Sequence, residues 1–154
     1  MKKNKAITLF ELIIVLAIIS IMAIFSIPKF KNIRETMRLK AAARQFYQDF
    51  YWTKLKAMEK GICHTIILDC NSYDYCIIED PNCNGTGNTY LSKVKFSEKF
   101  KGVNKITGSG NIIFQRTGFL QGLSNKTITL QNSSGQKLDV VISRLGRIRI
   151  GDIY

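Results

Sequence analysis

Residues Ile7 to Ile27 read ITLFELIIVLAIISIMAIFSI, 21 residues that carry a single charge, Glu11. No other feature of the chain constrains its fold as strongly. At ~1.5 Å per residue, a helix of this length spans a ~30 Å hydrocarbon core. A short basic leader, Met-Lys-Lys-Asn-Lys-Ala, stands ahead of it. A secretory signal peptide has a shorter apolar core, with its small-residue cleavage site after that core. Here the small residue, Ala6, comes first, so a cut after it leaves the whole apolar segment on the mature chain. A carboxylate inside a membrane helix costs on the order of 2.5–3.5 kcal/mol, so Glu11 calls for a partner. After cleavage between Ala6 and Ile7 the new amino group lies one helical turn from Glu11, or near the Glu11 of a neighbouring subunit. The plainer alternative is an ordinary anchor with a carboxylate near its end.

The run from Ile7 to Ile19, ITLFELIIVLAII, resembles the prepilin processing motif shared by type IV pilins and type II secretion pseudopilins. That motif usually has Phe-Thr-Leu-Ile-Glu directly after a cleaved Gly; here Ala6 replaces the Gly and Ile7 the Phe. Glu11 matches the family glutamate, and Pro28 matches a proline that kinks these helices. The resemblance implies that a prepilin peptidase cuts between Ala6 and Ile7 and that Ile7 is then N-methylated. It further implies that Glu11 serves assembly with other pilins or pseudopilins, and that the chain is a single-pass protein of the bacterial inner membrane. Lys29, Lys31, Arg34, Arg38 and Lys40 follow the span and by counting would hold that side in the cytoplasm. The leader and the cysteines point the other way, to a globular part on the periplasmic side.

Cys63, Cys70, Cys76 and Cys83 cluster downstream of this export signal, which reads as two disulfides. A metal site including His64 is the competing reading. It is disfavoured because no Cys-x-x-Cys pair exists and adjacent Cys63 and His64 point to opposite faces of a strand. Four cysteines admit three pairings. A hairpin turning at Ser72–Asp74 narrows them, since opposed residues then share an index sum of 146, which joins Cys70 to Cys76 and Cys63 to Cys83. The two pairs differ in ladder type, so only one can take the closer, non-hydrogen-bonded geometry.

Helical spacing continues past Pro28, with Leu39, Ala43, Phe46 and Phe50 on one face, and Gly61 is a natural stop. Pro28 should bend the helix by removing a bond to Ile24. From Ile62 the period shortens. Apolar runs at Thr65–Leu68, Tyr75–Ile78, Val94–Phe96, Asn111–Phe114, Thr127–Leu130, Leu138–Ile142 and Arg147–Ile150 predict seven short antiparallel strands. The loop Asp80–Asn88 is the most irregular stretch. The expected architecture is α+β. Residues 1–6 form a leader, and 7–60 one long helix that is transmembrane over 7–27 and amphipathic over 28–60. Residues 61–154 form a small antiparallel all-β domain.

That layout resembles the GspH/FimT group of minor pseudopilins. Phe114-Gln115-Arg116-Thr117-Gly118 is similar to the group's Phe-containing strand ending in a Gly turn. Gly146-Arg147-Ile148-Arg149 resembles the Gly-Arg-x-Arg motif of FimT-type proteins, implicated in binding DNA during uptake. The resemblance implies double-stranded DNA as a partner, held by Arg144, Gly146, Arg147 and Arg149. On a strand Arg147 and Arg149 share one face while Ile148 and Ile150 turn to the other. The competing reading is a solvated strand face whose arginines keep an edge soluble. A net charge of +12, or +9 after loss of the three leader lysines (12 − 3), suits a polyanion.

Enzymatic readings fare worse. The chain has one histidine and no His-Glu-x-x-His, Gly-x-Ser-x-Gly or Gly-x-x-x-x-Gly-Lys. No catalytic residue, metal site or cofactor is expected. Two functions stay open: a FimT-like minor pilin whose tail captures DNA, and a GspH-like pseudopilin that acts through protein contacts in type II secretion.

Overall fold

The computed structural model describes residues 8–108, 110–122 and 124–154, without the side chains of 25–29, 97, 104 and 105. Helix α1 runs over Leu9–Lys60. It passes through two compact units, one ending at Arg34 and the other comprising Glu35–Tyr154. In the first unit Thr8 caps the helix: its Oγ1 accepts the Glu11 backbone N–H at 3.2 Å. Every described side chain from Thr8 to Ile24 is exposed. Among the described residues no helix is long and apolar enough to cross a membrane. The predicted span Ile7–Ile27 extends beyond the described side chains at both ends, and the Pro28 bend falls outside them.

In the second unit α1 presents Leu39, Ala42, Ala43, Phe46, Phe50, Thr53 and Ala57 as one fully buried stripe, the three- and four-residue spacing of a core-facing helix. Gly61, with φ +64°, ends it in the left-handed conformation that favours glycine. Two four-stranded antiparallel sheets share this stripe. The first has the order β3-β2-β1-β5, built from β1 (Cys63–Cys70), β2 (Tyr73–Asp80), β3 (Thr89–Val94) and β5 (Ile112–Phe114). The second has the order β4-β6-β7-β8, built from β4 (Val103–Gly108), β6 (Lys126–Asn132), β7 (Lys137–Ile142) and β8 (Ile148–Ile153). Ile66, Tyr75 and Ile77 of the first sheet and Ile128, Leu130, Leu138, Val140 and Ile142 of the second close on the helix as one core.

The middle of that core is aromatic. The Phe46 ring meets Phe50 at 4.4 Å and Tyr75 at 4.5 Å, both edge to face. Buried Tyr75 donates its hydroxyl to Asp49. Burial, then the Asp49 charge, pushes the phenol far above its ordinary range, so it remains a donor. Phe96 joins the same cluster. It does so from the first residue of a short helix, α2 (Phe96–Lys99), and not from the strand expected over Val94–Phe96. The Asp74 carboxylate holds the Phe96 N–H at 2.6 Å and turns the chain there.

The β1–β2 hairpin corrects the expected register. Cys63 lies opposite Asp80 and Ile67 opposite Cys76, an index sum of 143 where 146 was expected. The turn falls at Asn71–Ser72, with Asp69 and Asn71 both at φ 56°. The disulfides are Cys63–Cys83 and Cys70–Cys76, yet neither joins directly opposed residues. Cys70 faces Tyr73 across the ladder, so its bridge runs diagonally through the twisted end of the hairpin. Cys83 lies beyond the end of β2 and reaches Cys63 because the chain doubles back after Asp80.

Asp80 makes that reversal. Fully buried, it accepts Thr65 Oγ1 at 2.8 Å and the N–H groups of Asn84 at 3.2 Å and Gly85 at 2.7 Å. The loop it ties down covers the outer face of the first sheet. An added Cβ on Gly87 would lie 1.9 Å from the Glu79 carbonyl oxygen and 3.3 Å from Ile78. Around Thr65 and Ile78 this sheet is therefore buried on both faces, one under α1 and one under an irregular loop.

Candidate nucleic-acid interface

Two tight turns meet at one end of the β domain. The first follows β5: Gly118 N–H donates to Gln115 O at 2.8 Å, Gln115 N–H to Phe119 O at 2.8 Å, and Phe114 pairs with Leu120. The second joins β7 to β8. Gly146 N–H donates to Ser143 O and Ser143 N–H to Arg147 O, each at 2.8 Å, while the Ser143 hydroxyl accepts Arg147 N–H at 3.1 Å. Asn125 accepts Arg144 N–H at 3.1 Å and fixes the turn from outside.

The turns are locked to each other. Leu120 N–H donates to Arg144 O at 3.0 Å. Gly118 and Gly146, with φ +78° and +71°, lie so close that a Cβ on Gly146 would sit 2.3 Å from Gly118 O. Lys54 of α1 clamps the pair, its Nζ donating to Gly146 O at 3.1 Å. Met58 fills the space beside Gly118, where an added Cβ would meet its Sδ at 2.7 Å. Lys54 was not among the residues singled out in the sequence, where a lysine on an amphipathic helix reads as a solvated charge. Its role depends on two turns far away in the chain.

This packing sorts the sequence candidates. Gly146 is buried and works through backbone closeness. Arg144, Arg147 and Arg149 are exposed. Arg147 precedes β8 and Arg149 lies within it opposite Val141, while Ile148 between them is buried. The expected inward turn of Ile150 is only half met. It is 39% exposed, beside Lys40 and Arg44 in a groove of ≈540 Å³ at the sheet edge, after a register shift between Leu138 and Val140. The locked turns add exposed Arg116, which lies outside the Gly146–Arg149 motif. Among the described residues none of these four arginines forms an ion pair.

Of the other candidates, Glu11 sits in the first turn of α1, and Ala6 and Ile7 lie outside the described residues. All four cysteines are in disulfides and so unavailable to a metal. No group of three or more His, Cys, Asp or Glu among the described residues is placed to hold one. His64 is instead a buried strand residue. Its Nδ1 lies 3.3 Å from Ile62 O, its Nε2 has no hydrogen-bond partner, and burial lowers its pKa.

A long N-terminal helix packed into two antiparallel sheets, with no closed barrel, defines a pilin-like subunit. The family model described as type II transport protein GspH matches residues 42–146, and the prokaryotic N-terminal methylation motif matches residues 1–27. The chain belongs to the GspH family, a minor pilin or pseudopilin of the type IV pilus or type II secretion kind. That family consists of structural subunits. The fold is similar to type IV minor pilin FimU of Pseudomonas aeruginosa PAO1, with TM-score 0.58 and 16% identity over 77% of this chain and 91% of that one. It is also similar to the minor pseudopilin EpsH from the type 2 secretion system of Vibrio cholerae, with TM-score 0.53 and 13% identity over 73% and 95%. No curated protein sequence matches the chain.

Proposed function

We propose that the chain is a FimT-like minor pilin that captures double-stranded DNA through Arg144, Arg147 and Arg149. The observation that carries the reading is the clamped end of the β domain, where exposed, unpaired arginines stand on two turns fixed by backbone hydrogen bonds and by Lys54. The backbone that carries these arginines is thus set before any phosphate arrives, which reduces the ordering cost of binding. No helix is available there to read base edges, so the contact is to the backbone and indifferent to sequence.

The rest of the reading concerns assembly. The matched methylation motif supports cleavage between Ala6 and Ile7 by a prepilin peptidase, methylation of Ile7, and a single-pass inner-membrane anchor with the globular part outside the cytoplasm. Glu11 at the helix N-terminus then meets the amine of a neighbouring pilin. The division into leader 1–6, helix 7–60 and β domain 61–154 belongs to the same proposal. A GspH-like role in type II secretion, through contacts with other pseudopilins, is favoured by the description of the matched family.

The deciding experiment uses the full chain in zwitterionic nanodiscs and a short fluorescent duplex, titrated at several salt concentrations. Two or three neutralised phosphates give a log–log salt slope of roughly −2 to −3 and a Kd of order 10⁻⁴–10⁻⁶ M. Arg147→Ala with Arg149→Ala should remove about two from the slope, while Lys101→Ala with Lys137→Ala, exposed cations elsewhere, should change it far less. Equal loss in both double variants would mark bulk charge. Absence of salt-sensitive binding in the wild type would leave the secretion role as the better account.

A further inference from the structure

We infer that Phe119 and Arg116 form a stacking subsite for an unpaired nucleobase, so that the chain holds single-stranded or frayed DNA in preference to intact duplex. The inference rests on the DNA reading above and adds a second half to that site. Phe119 follows directly on the Gly118 turn and is 49% exposed, whereas Phe46, Phe50, Phe96 and Phe114 are buried in the core. Its backbone is fixed, since Phe119 O accepts the Gln115 N–H at 2.8 Å and the next residue donates to Arg144 O. Phe119 thus stands between Arg116 on its own turn and Arg144 on the adjoining one. Among the described residues its ring meets no other ring or cation.

An exposed aromatic ring flanked by unpaired guanidiniums is the arrangement that holds single strands: bases stack on the ring while cations follow the phosphates. A duplex offers no free base face to such a ring, because its bases are stacked on each other. The neighbouring relief fits the same ligand. Arg116, Gln115 and Thr117 border a cavity of ≈390 Å³ that opens toward Cys63, Pro81 and Cys83.

The test uses the full chain in zwitterionic nanodiscs with two fluorescent probes of equal length, a thymidine single strand and a mixed-sequence duplex. The wild type should bind the single strand more tightly. Phe119→Ala should weaken single-strand binding by about fivefold to a hundredfold, the span of one aromatic–base stack, and leave duplex binding unchanged. Phe119→Leu should behave like Phe119→Ala, and Phe119→Trp should retain the preference. A wild type that binds both probes equally, or a Phe119→Ala variant that weakens both by the same factor, overturns the stacking subsite. So does a Phe119→Leu variant with wild-type preference, since apolar bulk alone would then suffice, as at a lipid contact. These outcomes leave the DNA reading standing. That reading fails separately if Arg147→Ala with Arg149→Ala binds duplex as the wild type does.

Discussion

Substituting Gly146 by alanine tests the closest approach in the molecule that involves a candidate site residue. Two costs add. An alanine at φ +71° occupies the left-handed region at about 1–2 kcal/mol. Its Cβ would also be placed 2.3 Å from Gly118 O and 3.2 Å from Lys54 Nζ, so the turns must part, at about 1–3 kcal/mol for an overpacked contact. Gly61→Ala separates the two terms, because Gly61 has nearly the same φ, +64°, and nothing within 4 Å of its Cβ position. Gly146→Ala should therefore cost about 2–5 kcal/mol and Gly61→Ala about 1–2 kcal/mol. Urea denaturation of the full chain in detergent, followed by the fluorescence of Trp52, the single tryptophan, measures both. Equal destabilisation of the two variants would show that the turns do not depend on this contact and that this end of the domain is not clamped. Duplex binding by folded Gly146→Ala should fall as well, through misplacement of Arg144 and Arg147.

Loop length ranks the disulfides: the Cys63–Cys83 bridge closes a separation of 20 residues and Cys70–Cys76 one of 6, worth about 3 and about 2 kcal/mol respectively. Paired serine substitutions read by urea midpoint should keep that order, and a reversed order would refute it. His64 makes stability pH-dependent. Its folded pKa is depressed by burial, so the unfolded chain takes up the proton first, near its ordinary value of about 6.5. Stability is then full above that pH and declines as pH falls toward the depressed folded value. His64→Leu should flatten this decline, and a variant with the wild-type slope would assign it to another group such as Glu79, whose carboxyl the Lys60 hydrogen bond holds below its ordinary value. Glu11→Ala should leave membrane insertion intact while reducing recovery in sheared filaments; unchanged recovery would remove Glu11 from assembly.

The parts of this fold that were legible in the sequence are those with a strong local period. The core stripe of α1 from Leu39 to Phe50 and the stop at Gly61 follow from spacing and one glycine. Strand β4 was not legible, because Val103 to Gly108 has only two apolar side chains, Val103 and Ile106, which are three apart and form neither an apolar run nor a period of two. The hairpin register depended on left-handed Asp69 and Asn71, which spacing alone does not reveal. Asp80 and Lys54 stayed hidden because each depends on a distant partner. Lys54 meets a turn that comes near only when the chain is folded, and Asp80, although it caps the next few residues, is buried only because Thr65 of the neighbouring strand completes its shell. Arg116 was quoted as part of a motif, but its place beside Arg144 follows from a hydrogen bond between turns some twenty-five residues apart.

The loop over the outer face of the first sheet ties maturation to compartment. It has no ladder of its own and is held by two side chains, Asp80 and Asn111, and by one bond that needs an oxidising environment, Cys63–Cys83. A newly made chain still in reducing surroundings would hold this cover only loosely, leaving the side of the sheet that carries Ile78 and Cys76 open to solvent. Oxidation shuts it. The last step of folding is thereby a chemical one: this face of the sheet stops being adhesive only when Cys63 and Cys83 have lost their thiol hydrogens.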